Sequence, residues 1–226
     1  MTETEHYIGH RARLRGRFLG DGGDALPDYE LLELILFSAR PRGDVKPLAK
    51  RLLKQFGSFD KVIYANEHAL RSVDEVGDAV ISALKTVRVS AQRLVKSEIR
   101  DLPVIQSWSA LIDYCKLAMG KENIEQFRVL FLNNRHALIA DEVLQQGTIN
   151  HTPVYPREVV KRALELGAAA IILLHNHPSG DPTPSKADID ITTKIIEACA
   201  TVNVTVHDHV IITENGHYSF KSFGLI

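Results

Sequence analysis

Hydrophobic residues recur at helical spacing through the N-terminal part of the chain. Pro27-Asp28 opens the apolar stretch L-L-E-L-I-L-F, which has the start signal and the length of a helix. Residues 46–56 and 60–66 predict two further short helices, and residues 80–96 predict a longer amphipathic helix. This part of the chain is therefore expected to form a small helical bundle.

The pattern changes at Asp101-Leu102-Pro103, where the proline interrupts the helical spacing. The break predicts two domains, residues 1–101 and residues 102–226. In the second domain helices and strands alternate irregularly, which is typical of an α+β fold. The predicted helices are 107–119, 156–166 and 185–200, and the predicted strands are 127–132, 137–140, 168–174, 204–213 and 217–220.

Candidate chemistry is concentrated between His175 and Asp188, directly after the buried strand 168–174. Side chains two apart on a strand share a face, so His175 and His177 should project together. Prolines and a glycine exclude regular structure from residues 178–184, and the prolines stiffen this loop. Ser185 then has the S-x-x-D spacing of a helix capping box. Two imidazoles and one carboxylate leave one coordination position open. That pattern favours one catalytic zinc per chain, at the edge of the sheet.

Simpler interpretations exist for each feature. Ser185 and the carboxylate three residues later are common as a pure helix cap. A second pair, His207 and His209, should also share a strand face, but no proline loop or capped carboxylate follows it. We expect this pair to support a zinc ligand or to be satisfied in the core rather than to bind zinc. His136 and His151 are expected to be surface residues.

The spacing H-x-H-x7-S-x2-D, formed by His175, His177, Ser185 and Asp188, resembles the motif of the JAB/MPN (JAMM) metalloprotease family. The wider string H-N-H-P-S-G-D-P-x-P-S, with G-T-I and P-R-E-V-V before it, is similar to the RadC branch of that family. The resemblance implies a mixed β-sheet flanked by helices and a zinc-dependent peptidase activity.

The resemblance also implies a proton carrier. A zinc ion held by this set lowers the pKa of a bound water from about 16 to around 7, but amide hydrolysis still needs a carboxylate that passes a proton to the leaving amine. The family places this glutamate at the start of the strand after the first helix, where Glu125 stands; Glu142 is the alternative. Ser185 would donate a hydrogen bond to the oxyanion, in competition with its capping role.

The segment 70–84 stands where RadC-like chains carry a DNA-binding helix–hairpin–helix element. The first glycine of its turn is replaced by Glu75, and the basic residue often found three places after the second glycine is Val80. A carboxylate there should repel phosphate, so we interpret the bundle as a packing or partner-binding module. Non-specific DNA binding is the less favoured alternative. The arginines of this part, Arg11, Arg13, Arg15 and Arg17, are expected to form a solvated face or a flexible arm, with phosphate contact as the alternative.

Composition narrows the choice of partner. The net charge is −1 and the N-terminal part is only slightly basic, so no overall pull toward nucleic acid or acidic membranes is expected. No apolar signal region or membrane-spanning run is visible, and Cys115 and Cys199 are expected to be core-facing thiols in a reducing cytoplasm.

Three functions from different classes remain. The first is a zinc peptidase or isopeptidase acting on a peptide or protein. The second is a DNA-repair-associated nucleic-acid-binding protein, and the third is a metal-stabilised interaction module without turnover. The open coordination position and the matching Glu125 favour the first.

Overall fold

The computed structural model describes residues 9–100, 103, 108–147 and 154–226. The chain divides between Ala91 and Gln92 into two compact units. Residues 101 and 102, where the sequence predicts the domain boundary, lie outside the described residues. The division into 1–101 and 102–226 therefore stays a prediction.

The N-terminal unit is helical, as its hydrophobic spacing predicts. Its helices are α1 (His10–Asp21), α2 (Asp28–Ala39), α3 (Lys46–Phe56), α4 (Phe59–Tyr64), α5 (Glu67–Arg71) and the first part of α6 (Asp78–Arg100). They bury leucines that are almost completely inaccessible to solvent: Leu32, Leu36, Leu48, Leu52, Leu70 and Leu84. Each of these helices contributes one apolar side to a common core, which is why helical periodicity was enough to predict most of them.

Helix α1 differs from the flexible arm that was one expectation for its arginines. Leu14 is buried, and Arg11 donates to the carbonyls of Arg40 at 2.7 Å and Gly43 at 2.8 Å. The Arg11 guanidinium also lies 4.6 Å from the ring centre of Phe37. Helix α1 is held by one buried leucine and by an arginine that bonds to carbonyls distant in the sequence. Such contacts produce no regular spacing of apolar residues, so this helix could not be predicted from the sequence.

Glu75 adopts a backbone conformation that glycine would adopt without strain. Its φ is +70°, in the left-handed region, and its carboxylate accepts hydrogen bonds from the guanidinium groups of Arg40 and Arg51. Those two hydrogen bonds hold the pKa of Glu75 below its usual value. The Glu75 carboxylate thus forms ion pairs with two guanidinium groups that could otherwise bind a phosphate.

We expect Glu75→Gly to raise the affinity of the full chain for duplex DNA about three- to tenfold at low salt, because the change releases Arg40 and Arg51. The matched variant Glu75→Gln removes the charge but keeps the strained backbone, so it should give a smaller gain. Fluorescence anisotropy over a KCl series measures both. If no variant is retained on DNA even at low salt, the DNA-binding interpretation of this unit is wrong.

The C-terminal unit is a mixed five-stranded sheet with helices, which confirms the α+β prediction. Its further elements are α7 (Trp108–Met119), β1 (Gln126–Leu132), β2 (Leu138–Gln146), α8 (Pro156–Glu165), β3 (Ala170–Asn176), α9 (Lys186–Ala200), β4 (Thr205–Ile212) and β5 (His217–Ser219). The strand order is β2-β1-β3-β4-β5, and only β3 and β4 are parallel. The strand that leads to the candidate metal ligands is therefore the central one of this order, and the ligands lie at its end.

Strand β3 is buried on both faces. Ile172 and Leu174 pack into the cluster that contains residues of α7, whereas Ile171 and Leu173 pack into the cluster that contains residues of α8 and α9. Alternation then directs His175 to the α8–α9 face. The continuous apolar composition of this strand is what a central strand of a covered sheet requires.

Strand β2 extends well beyond the predicted residues 137–140. The added part begins with two acidic residues, Asp141 and Glu142, and each meets an arginine from a neighbouring element. Arg128 on β1 donates to both carboxylate oxygens of Asp141, at 2.7 and 2.9 Å. Arg162 on α8 pairs with Glu142. These long-range ion pairs, which no local pattern reveals, let an acidic segment continue the sheet.

Cys115 and Cys199 are both buried and free, as predicted. Burial raises the pKa of both thiols, that of Cys199 to about 11. In the described part of the chain, no helix combines the length and the apolar character needed to cross a membrane.

Candidate metal centre

The two candidate imidazole ligands lie together at the end of β3. His175 is the second-to-last residue of β3, and His177 is the first residue after the strand. The backbone N–H of His177 donates to the carbonyl of Ile212 at 3.0 Å, which keeps the chain extended past the strand end. The two ring centres are 4.7 Å apart. Strand alternation therefore places both rings on one face, as the sequence indicates.

The candidate carboxylate ligand belongs to the capping box of α9. The backbone N–H of Ser185 donates to Asp188 Oδ2 at 2.7 Å, and the backbone N–H of Asp188 donates to Ser185 Oγ at 3.2 Å. This confirms the predicted cap. The Ser185 hydroxyl also donates to Asp188 Oδ2 at 2.6 Å, so in this structure its hydrogen serves the carboxylate. The cap fixes the direction of a side chain that is only 2% exposed.

The donor atoms of His175, His177 and Asp188 all lie within 4.8 Å of one another. Ligands about 2.1 Å from a tetrahedral zinc ion stand about 3.4 Å apart. Here His175 Nε2 is 3.4 Å from Asp188 Oδ1, and His177 Nε2 is 3.7 Å from Asp188 Oδ2. The two imidazole Nε2 atoms are 2.9 Å apart. The residues present therefore fit a zinc ion with only small adjustments of the rings.

The charges of the three groups differ strongly. Burial lowers the pKa of His175 to about 4. The Asp188 carboxylate, 3.7 Å from His177 Nε2, raises the pKa of His177. Burial opposes ionisation of Asp188, but the His177 imidazole, the charge that His175 carries at low pH and the hydrogen bonds from Ser185 hold the pKa of this carboxyl well below its usual range. In the metal-free chain, His177 therefore binds a proton more readily than His175 does.

In both candidate ligand imidazoles, the nitrogen that does not face the metal centre, Nδ1, has a hydrogen-bond partner. His177 Nδ1 donates to the backbone carbonyl of Asp181, inside the proline-stiffened loop, at 2.7 Å. His175 Nδ1 is 2.8 Å from His209 Nε2. His209 Nδ1 is in turn 2.5 Å from Thr192 Oγ1. The sequence pointed to His209 as a supporting residue but gave no sign of Thr192, whose role depends on the packing of α9 against β4.

The expectation that His207 and His209 share a strand face is wrong. The register of β3 and β4 shifts between Ile171 and Ile172, so an extra residue bulges from β4 at this point. His207 therefore turns away from the metal centre and bonds to His136 Nδ1 at 2.7 Å. His136 is half-buried rather than a surface residue. His151, also predicted to be exposed, lies outside the described residues.

Glu125 stands immediately before β1 and next to the metal centre. Phe127 on β1 pairs with His175 on β3 in antiparallel register, and Glu125 precedes Phe127 by two residues, near the strand end that carries the imidazoles. The Asn176 side chain fixes this strand end, because it accepts from Gln126 N at 2.8 Å and donates to two loop carbonyls. The negative charge of Glu125 makes a small contribution to the raised pKa of His177.

Glu142 is engaged elsewhere. Its two carboxylate oxygens accept from Arg162 at 2.7 and 2.6 Å, and this hydrogen bonding lowers the pKa of Glu142. It pairs with Val129, further along β1 from the site. Of the two glutamates named from the sequence, Glu125 is therefore the one whose charge acts on a candidate ligand.

A cavity of about 250 Å³ opens beside the ligands. Phe127, Val154 and Ile191 give it an apolar lining, and Asp190 and Lys194 of α9 supply charged groups. It reaches His175 and Asp188 directly. An extended chain lying in this cavity would be in contact with the candidate ligands.

The family comparison agrees with this geometry. The model of a family described as the RadC-like JAB domain matches residues 105–225, which is more than half of the chain. The matched region includes the whole mixed sheet and the His–His–Asp group. The chain therefore belongs to the family of RadC-like JAB domain proteins.

Proposed function

We propose that this protein is a zinc-dependent peptidase or isopeptidase that hydrolyses an amide bond in a peptide or protein. The observation that carries the proposal is the convergence of His175, His177 and Asp188, with Glu125 on the neighbouring strand. Within the described part of the chain, no fourth His, Cys, Asp or Glu atom joins this group. A structural zinc site would be closed by four protein ligands, so three ligands support a catalytic one.

The three ligands would hold the metal at the mouth of the cavity. Bound zinc supplies Lewis acidity, which polarises a carbonyl and lowers the pKa of water toward neutrality. His175 and His177 each present Nε2 to the same point, and Asp188 contributes the one negative charge among the three. A neutral imidazole pair with a single carboxylate leaves the centre with net positive charge, which favours a developing oxyanion.

Glu125 would carry the proton that amide hydrolysis requires. An amine anion is a very poor leaving group, so the nitrogen must be protonated as the C–N bond breaks. A carboxylate near His177 can accept a proton from the attacking water and return it to that nitrogen. This role is supported by the pairing of Phe127 with His175, two residues after Glu125, and by the effect of the Glu125 charge on the pKa of His177.

Ser185 can stabilise an oxyanion only if its hydroxyl turns away from Asp188. After this rotation the backbone N–H of Ser185 would still donate to the same carboxylate oxygen. Asp188 would keep one hydrogen bond from residue 185 while the hydroxyl serves the substrate. The Ser185 hydroxyl would thus serve the helix cap first and the oxyanion afterwards, so the two roles do not exclude each other.

The test is metal content combined with peptide cleavage by the full chain. We expect about one zinc ion per chain, and cleavage of members of a peptide and isopeptide library that is lost with a chelator and restored by zinc. Zinc bound without cleavage of any substrate would support the metal-stabilised interaction module instead. A chain that binds no zinc would overturn the metal centre itself.

We expect zinc binding to release close to one proton at about pH 5.5. His177 has a raised pKa and is protonated there, whereas the pKa of His175 is about 4 and Asp188 is ionised. In the metal-free chain, protonated His177 stabilises the fold at low pH, and this contribution is lost as the pH rises through its raised pKa. Zinc affinity changes in the opposite sense and falls as the pH drops through that value.

Calorimetric titrations in buffers of different ionisation enthalpy give the proton count. Below about pH 4 a second proton, from His175, should be released. A count near two at about pH 5.5 would show that the charge assignment of the two imidazoles is wrong.

A further inference from the structure

Two buried side chains connect the candidate ligands behind the metal centre. Thr192 lies one helical turn after Asp188, and its Oγ1 is 2.5 Å from the Asp188 carbonyl oxygen. The same Oγ1 is 2.5 Å from His209 Nδ1, and His209 Nε2 is 2.8 Å from His175 Nδ1. A continuous hydrogen-bonded chain thus runs from the backbone of one ligand residue to the ring of another.

The direction of the hydrogen atoms along this chain is determined by its first member. A backbone carbonyl can only accept, so the single hydroxyl hydrogen of Thr192 lies toward Asp188. Thr192 Oγ1 must then accept from His209 Nδ1–H. In a neutral imidazole the other nitrogen carries a lone pair, so His209 Nε2 accepts from His175 Nδ1–H.

We infer that Thr192 and His209 are positioning residues that hold His175 in its Nδ1–H tautomer and keep His175 Nε2 free to bind the metal. The opposite direction would put hydrogen on His175 Nε2, where it would block coordination. It would also leave two oxygen atoms, of Thr192 and of the Asp188 carbonyl, 2.5 Å apart with no hydrogen between them.

The surroundings of His209 keep its ring in place for this role. The ring is completely buried and stacks on Phe220, with ring centres 4.5 Å apart. Phe127 meets it edge-on at 5.9 Å. With both rings packed against it, His209 can supply its nitrogen to His175 with little freedom to rotate.

The inference rests on the metal site of the proposed function but not on peptide hydrolysis. It can therefore be tested in the metal-free wild-type chain. Long-range ¹H–¹⁵N correlation spectra report which imidazole nitrogen carries hydrogen, and the His175 signals are assigned by their loss in His175→Asn. We expect the Nδ1–H tautomer for His175 and for His209. An Nε2–H tautomer at His175 in the wild-type chain would overturn the inference.

Matched variants of Thr192 test the effect on the metal. Thr192→Val keeps the shape but removes the oxygen, so His209 loses the acceptor that sets its tautomer; Thr192→Ser keeps the hydroxyl. We expect zinc affinity, measured by competition with a chelating dye, to fall about 10- to 100-fold in Thr192→Val and to stay within about threefold of wild type in Thr192→Ser. The His175 tautomer should shift only in Thr192→Val.

The outcomes separate this inference from the proposed function. Thr192→Val with an unchanged tautomer, or with zinc affinity close to wild type, would overturn the inference while the metal site stands. A wild-type chain with the expected tautomer but no zinc binding would overturn the proposed function and leave the tautomer assignment intact. If Thr192→Val does not fold, the wild-type spectrum still decides the tautomer.

Discussion

Glu125→Gln should lower the rate of amide hydrolysis by about 100- to 10,000-fold while zinc stays bound. Glutamine has nearly the shape of glutamate but cannot take a proton from water or return it to the leaving nitrogen. The metal ligands are untouched, because Glu125 lies on the neighbouring strand end and not among the three donors that converge. Metal analysis of the variant and initial rates on a cleaved library peptide measure the two effects separately.

Glu142→Gln is the matched control. Glu142 is also a glutamate of the sheet, but Arg162 holds both of its carboxylate oxygens away from the centre. We expect its activity to stay within about threefold of wild type, because proton transfer would be unaffected. If instead Glu142→Gln is the inactive variant, the assignment of the proton carrier must be exchanged. If both variants are fully active with zinc bound, neither glutamate carries the proton.

The features of the site that the sequence predicted are those set by neighbouring residues. His175 and His177 share a face because they are two apart on one strand, and Ser185 with Asp188 has capping-box spacing. Such patterns depend on strand pleat and helix geometry, which are the same in every fold. A short stretch of sequence was therefore enough to place three ligand candidates in one corner.

The features that it missed depend on pairings between distant elements. The bulge in β4 separates His207 from His209, and nothing in the string H-D-H marks it. Thr192 resembles any other helical threonine until α9 packs beside β4 and brings it to His209. Strand β2 continues beyond the predicted residues 137–140 because Arg128 and Arg162 pair with its acidic residues. In each case a tertiary contact overrides a local preference.

The central position of β3 also has a tertiary origin. Local patterns predicted the strands but not their order in the sheet. The structure places β1 on one side of it and β4 on the other. This arrangement lets two different strands supply groups to one centre: Glu125 precedes β1, and His209 lies on β4. An edge strand would have had a neighbour on only one side.

Asp188→Asn should weaken zinc binding by at least about 100-fold while it changes the thermal stability of the metal-free chain little. Asparagine keeps an oxygen that can accept from the backbone N–H of Ser185, so the cap of α9 survives. It loses the one negative charge among the three ligands, and with it the interaction that raises the pKa of His177. Competition with a chelating dye and a thermal melt of the metal-free chain measure the two properties.

Ser185→Ala is the complementary variant. It removes the side-chain half of the cap and should cost about 0.5–2 kcal/mol of stability. Zinc affinity should fall by less than about tenfold, because all three ligands remain and the backbone N–H of residue 185 still orients Asp188. The pair of variants thus separates the two interpretations of the S-x-x-D spacing. If Asp188→Asn melts like Ser185→Ala and binds zinc like wild type, Asp188 is only a helix cap. The proposed metal centre would then have no carboxylate ligand.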